Sequence, residues 1–234
     1  MSTLLNALTA DQEQMKAWRH HMHQHPEVAF EEHNTARYIA DLLRGWGYEV
    51  TENIGKTGLV ARMSCGDGKK SIGLRADTDA LAVQEMIEGG HKSTIPGKSH
   101  TCGHDGHSAM LLGAAHYLAH TRAFNGTVNL IFQPAEEIMG GAVAMIKDGL
   151  FERFPMDAVF GMHNMPTLER GKLYFTAGPV MAAVGTTGRS SSPARGVTGR
   201  CRRRVSTRWW RGPPWSWRCR RSCRATLAPR TLRW

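Results

Sequence analysis

His100-Thr-Cys-Gly-His-Asp-Gly-His107, running straight into the alanine- and leucine-rich stretch Ser108–His120, decides how this chain is read. Ser108–His120 has the composition of a helix. The thiol and imidazoles before it therefore stand at a helix start, on a backbone that two glycines allow to turn sharply. The positive end of the helix dipole is expected to favour thiolate over thiol at Cys102. Outward from this segment, Tyr48–Thr51, Leu59–Met63, Ser71–Ala76, Thr127–Phe132, Ala158–Met162 and Lys172–Phe175 read as strands. Residues 11–24, Glu31–Trp46 and Ala142–Lys147 read as helices, the first ended by His25-Pro26 and the second by Gly45 and Gly47. Strands alternating with helices predict an α/β fold, a layered sheet with flanking helices.

Three of the predicted strands run into polar loops. One ends in Arg75-Ala-Asp-Thr-Asp79, one in Gln133-Pro-Ala-Glu-Glu137, and one in Gly161-Met-His-Asn-Met-Pro166. Open α/β sheets place their chemistry just past strand carboxyl ends. With the Cys-Gly-His turn, these loops offer Cys102, His104, Glu136, Glu137 and His163, a ligand mix that suits zinc, manganese or cobalt. Each residue alone carries little: a lone Cys is more often a small buried hydrophobe. The signal is their convergence. Two adjacent carboxylates after a buried strand and Pro134 can divide the work, one binding metal and one taking a proton from water and returning it to a leaving amine. That is the machinery of amide hydrolysis. No glycine-rich phosphate loop, nucleophile elbow or redox Cys pair competes with it. His20, His21, His23 and His25 form a run without a second ligand type, which fits capping or supporting roles better than ligation.

Charge divides the chain. Residues 185–234 hold fourteen Arg and no Lys, Asp or Glu, whereas the first 184 hold sixteen basic against twenty acidic side chains, a net −4. A mildly acidic body thus precedes a strongly basic tail. The N-terminus lacks the basic start and apolar run of a signal peptide, and no apolar stretch reaches transmembrane length. Only Cys65 and Cys102 lie in the body, too few for a disulfide framework. The expected compartment is the cytoplasm.

From Trp18 to Val184 the sequence resembles the hippurate hydrolase-like amidohydrolases, the N-acyl-amino-acid hydrolase branch of the aminoacylase and carboxypeptidase di-metal superfamily. The resemblance rests on Arg19…His23-Gln-His-Pro-Glu27, Gly73-Leu-Arg-Ala-Asp-Thr-Asp-Ala-Leu81, His100–His107, Gln133–Glu137 and Gly161–Pro166, in that order; Ala82 stands where the family usually has Pro. It implies a di-metal exopeptidase-like catalytic domain with Cys102, His104, Glu137 and His163 as metal ligands. Glu136 and Asp79 are the implied catalytic residues, Glu136 as general base and Asp79 as a support behind the site. It further implies two divalent ions (Mn, Zn or Co), a small-molecule N-acyl amino acid as substrate, and a family dimer or tetramer.

Past Val184 the composition changes. Residues 185–234 hold five of the seven Trp and three of the five Cys, but no Ile, Phe, Tyr, Met, Asn, Gln, His or Lys. Arg, Trp, Cys, Gly, Pro and Ser share G- and C-rich codons, so the tail reads as translation in a shifted frame. Val197–Arg202 can be encoded so that the shifted frame gives His-Gly-Ala-Met (or Leu)-Pro, and Thr207–Trp217 permits Pro-Val-Val-Ala, both family-like. Residues 1–184 are therefore expected to be the N-terminal part of the catalytic domain and 185–234 an out-of-frame tail without fixed structure. The family's lid and dimerisation domain, with its oxyanion-stabilising His, and the returning sheet strands that carry a final metal-ligand His would then be missing. Partial metal occupancy, poor solubility and little hydrolysis are expected.

Two rival readings come from other classes. Arg interleaved with Trp209, Trp210, Trp215 and Trp217 could contact phosphates and stack on bases, but the tail lacks helical periodicity or zinc spacing, so no specific nucleic-acid partner is expected. A non-catalytic metal-binding scaffold is the other. The carboxylate left over at Glu136 argues against it, because structural sites close their coordination shell.

Overall fold

A computed structural model describes residues 3–175 and 230–231. The chain divides into two compact units, Met1–Asn164 and Met165–Trp234. In the first, helices α1 (Thr3–Ala10), α2 (Gln12–Gln24) and α3 (His33–Gly45) precede strands β1 (Glu49–Ile54), β2 (Gly58–Cys65) and β3 (Ser71–Asp77). Helix α4 (His104–Thr121), strand β4 (Gly126–Gln133), helices α5 (Gly141–Lys147) and α6 (Leu150–Arg153) and strand β5 (Ala158–Gly161) follow. In the second unit, described over residues 165–175 and 230–231, β6 (Tyr174–Phe175) and β7 (Arg230–Thr231) form an antiparallel pair. The tail reading for 185–234 otherwise lies outside the described residues. No helix among the described residues is long and apolar enough to cross a membrane.

The first unit is a mixed five-stranded sheet in the order β1-β2-β4-β3-β5. β1 and β2 are antiparallel, as are β2 and β4, while β3 runs parallel to both β4 and β5. β4 is the central strand and reads as a continuous apolar run because both of its faces are covered. Leu130 and Phe132 point into one cluster with Trp18, Met22, Ile39, Leu43, Leu59 and Leu112, so α2, α3 and α4 cover that face. Ile131, one residue out of phase, joins Ile54, Val60, Met145, Leu150 and Phe154 under α5 and α6. The period-two alternation of β4 thus builds a three-layer α/β/α unit. Helix α3 shows how its helices are made. Thr35, Ile39, Ala40 and Leu43 form its buried stripe, and the bonds Gly47 N–H to Arg44 O (2.9 Å) and Tyr48 N–H to Leu43 O (3.0 Å) stop it.

This topology gathers the polar loops. Parallel pairing sets Asp77 opposite Gln133, and Arg75 opposite Gly161. β3, β4 and β5 therefore end at the same edge of the sheet, each feeding the loop that carries its carboxylates or histidine. β5 differs from its neighbours: all four of its residues are exposed, with Val159, Phe160 and the following Met162 all about half accessible to solvent. Among the described residues β5 pairs only with β3, which leaves an apolar sheet edge.

Candidate metal centre

Helix α4 begins at His104, four residues earlier than the composition of Ser108–His120 indicates. Gly103 caps it at φ +84°, and a Cβ there would lie 2.5 Å from the Asn164 amide, so the turn needs glycine. His104 and His107 consequently sit three apart on one helical face, within the first turn.

Asp79 reaches both halves of the site. Its Oδ1 accepts His104 Nδ1–H at 3.1 Å and its Oδ2 accepts the Glu137 backbone N–H at 2.9 Å. With Nδ1–H held by Asp79, His104 aims Nε2 at Glu136 Oε2 and Glu137 Oε1, each 3.9 Å away. His104 Nε2 and Glu137 Oε1 are buried, and neither has a hydrogen-bond partner. His163 is prepared in the same way: Nδ1–H donates to Asn164 O at 2.6 Å, leaving Nε2 3.5 Å from Cys102 Sγ. Cys102, His104 and His163 form one group whose ligand atoms lie within 4.8 Å of one another, and His104, Glu136 and Glu137 form a second.

A third group, Asp77, His104 and His107, was not assigned from the sequence. His107 Nδ1–H donates to Asp77 Oδ1 at 2.6 Å, and its Nε2 accepts the Asn164 N–H at 3.0 Å. Arg75 braces Asp77 at 2.8 Å while also donating to Gln133. Two sequence signals pointed there: Asp77 shares the Asp-x-Asp of Asp79, and His107 lies three residues past His104. Of the α2 histidines, His23 bridges Asp105 (2.8 Å) and Glu85 (2.9 Å), with Arg19 also on Asp105. None of His20, His21, His23 or His25 belongs to a ligand group among the described residues. His25 is the C-cap residue of α2, with its Nδ1–H on His21 O at 2.7 Å, while His20 and His21 stack on His91 and Tyr38.

Electrostatics follow from this packing. Burial alone would lower the His104 pKa, but Asp79, Cys102 and Asp77 outweigh it and hold the ring up to about 11. The Asp77 carboxyl stays well below the usual carboxylate range; burial opposes this, but the His107 hydrogen bond and the nearby His104 and Arg75 charges prevail. Burial raises Glu136, helped by Asp77, Glu137 and Asp79 and opposed by His104. Burial lowers His163, which favours the neutral, ligating ring. The thiol corrects the dipole expectation. Burial pushes Cys102 up, helped by Glu137, and the neighbouring His104 offsets only part of this.

Buried, orphaned imidazole and carboxylate atoms, a thiol within reach and ring tautomers set by second partners fit a divalent metal ion. An α/β sheet with such donors at the carboxyl ends of its parallel strands defines a candidate metal-binding core. The chain belongs to peptidase family M20/M25/M40, whose profile matches residues 73–228. It is 49% identical to the hippurate hydrolase of Campylobacter jejuni over 76% of this chain and 48% of that protein. It is 40% identical to an N-acyl-L-amino acid amidohydrolase of Geobacillus stearothermophilus over 71% of this chain and 45% of that one. A dinuclear metal binding M20 peptidase from Bacillus subtilis superposes with a TM-score of 0.65 at 38% identity, covering 68% of this chain and 45% of that one. The chain spans about half the length of the curated relatives it matches.

Proposed function

We propose that residues 1–184 are the N-terminal part of the catalytic domain of a metal-dependent amidohydrolase that cleaves the amide bond of small N-acyl amino acids of the hippurate type. The observation that carries this is the pair of buried, unpartnered ligand atoms, His104 Nε2 and Glu137 Oε1, facing each other across 3.9 Å. Cys102, His104, Glu137 and His163 are the proposed ligands. The relatives' names support the substrate class.

A bound divalent ion would polarise the scissile carbonyl and acidify water. Glu136 is the general base. Its carboxylate is over a third exposed where Glu137 is nearly buried, so it is the one free to face solvent and substrate. Its raised pKa suits a group that takes a proton from water and hands it to the departing amine nitrogen. Asp79 acts through His104 and Glu137 and is a positioning residue. Replacing Glu136 by Gln in a chain with the reading frame restored should keep metal content and lower benzoylglycine turnover by about 10²- to 10⁴-fold. A variant that keeps normal turnover, or that loses turnover and metal together, would refute the assignment.

The 234-residue chain alone is proposed to hydrolyse little, and residues 185–234 to be an out-of-frame product. The family match extends to residue 228, so an intact frame is the opposing reading. DNA sequence across the codons for residues 181–190 decides between them.

A further inference from the structure

The corner that presents Glu136 and Glu137 belongs to neither a strand nor a helix, and its backbone is unusual. Ala135 has φ +49° and Met139 φ +57°, in the left-handed region that side chains disfavour. The bend is tight: a Cβ on Gly141 would lie 1.6 Å from Pro134 O, so no other residue fits there. Internal turn bonds close it, Met139 N–H to Glu136 O (2.8 Å) and Gly141 N–H to Ala135 O (3.1 Å). Two hydrogen bonds to carboxylates outside the corner then tie its backbone to the rest of the unit. One is Asp79 on the Glu137 N–H. The other comes from Glu32, 103 residues away, at the start of α3.

Glu32 is completely buried. Its Oε1 accepts the Ala135 N–H at 2.8 Å, and its Oε2 accepts the Thr57 hydroxyl at 2.5 Å. Thr57, itself buried, lies in the turn between β1 and β2. Phe30, two residues before Glu32 and also at positive φ (63°), sets its ring against Gly140 at the far side of the corner. An isolated buried carboxylate is costly, and both oxygens here are used on backbone and hydroxyl donors with no cation between them.

We propose that Glu32 is a positioning residue for the Glu136–Glu137 pair, holding the left-handed Ala135 corner to the β1–β2 turn so that the two carboxylates face His104. The proposal rests on the reading of Glu136 and Glu137 as the working pair, and its test separates the two. In metal-free chain, Glu32→Ala should speed amide hydrogen exchange across residues 134–141 by about tenfold, leaving α4 unchanged. Glu32→Gln should restore protection, because its carbonyl can accept Ala135 N–H while its amide donates to Thr57. Thr57→Val, which removes one hydroxyl and keeps the shape, should give a smaller acceleration in the same segment and serves if Glu32→Ala does not fold. Cobalt(II) affinity should fall about tenfold in Glu32→Ala and recover in Glu32→Gln. An unchanged corner in Glu32→Ala and Thr57→Val, uniform acceleration across the unit, or a Gln variant as fast as Ala would overturn the proposal. A frame-restored chain that binds no cobalt would instead sink the functional reading, leaving the exchange pattern to judge Glu32.

Discussion

Asp79→Asn keeps the shape of a fully buried side chain and removes one acceptor. Asp79 now receives two donors, His104 Nδ1–H at 3.1 Å and Glu137 N–H at 2.9 Å. Asn has one carbonyl oxygen, so one donor must face an NH₂ group. If His104 is the loser, its proton moves to Nε2 and the lone pair leaves the ligand cluster. If Glu137 loses, a buried N–H is left unpaired. Either outcome costs about 1–3 kcal/mol, or roughly 5- to 150-fold in affinity. One effect opposes this. Asp79 helps hold His104 up at about 11, so at neutral pH a proton must leave Nε2 before it can ligate, and Asn would ease that departure. The carboxylate, however, faces two positive charges in a loaded site and one in the protonated ring, so its loss weakens metal more than proton. The expected result is a tenfold to hundredfold fall in zinc affinity, on the order seen when supporting partners of metal ligands are removed, measured by competition with a chelating dye at neutral pH. Affinity at or above that of the wild type would refute the account of Asp79.

Two more outcomes follow from named contacts. His23 lies between Asp105 and Glu85, and the Asp105 hydrogen bond, with help from Glu85 and against burial, raises its pKa. A raised folded value stabilises fully below the ordinary histidine value of about 6.5, and the benefit is lost as pH climbs through the folded value. His23→Gln should therefore cost about 1–3 kcal/mol in acid and less in alkaline urea titrations; a cost that is flat or grows with pH would contradict the bridge. On the exposed β5 edge, Phe160→Lys should increase the soluble fraction of the expressed chain, because a charge there blocks edge-to-edge pairing. An unchanged soluble fraction would contradict this account of the β5 edge.

The sheet and the ligand loops were legible because their signals are local. β4 reads as an apolar run, Glu137 and His163 stand just past strand ends, and Cys102 and His104 stand where α4 starts. What stayed hidden depends on tertiary neighbours. The start of α4 at His104 requires Gly103 to adopt a left-handed turn against Asn164, which no helix propensity reports. The third ligand group needs β3 and α4 side by side before Asp77 and His107 can meet. The thiol runs against the dipole expectation because burial, which the sequence does not report, pushes Cys102 up. Glu32 resembles an ordinary surface acid in a Glu-Glu pair, and only the fold carries it to Ala135.

X-ray absorption on the zinc-loaded, purified chain tests the central claim most directly. A centre built from Cys102, His104, Glu137 and His163 predicts one sulfur at about 2.3 Å among nitrogen and oxygen neighbours at about 2.0–2.2 Å, with the sulfur lost in Cys102→Ser. A shell of nitrogen and oxygen alone in the wild type, or a sulfur that survives Cys102→Ser, would contradict the convergence of the three loops on one metal.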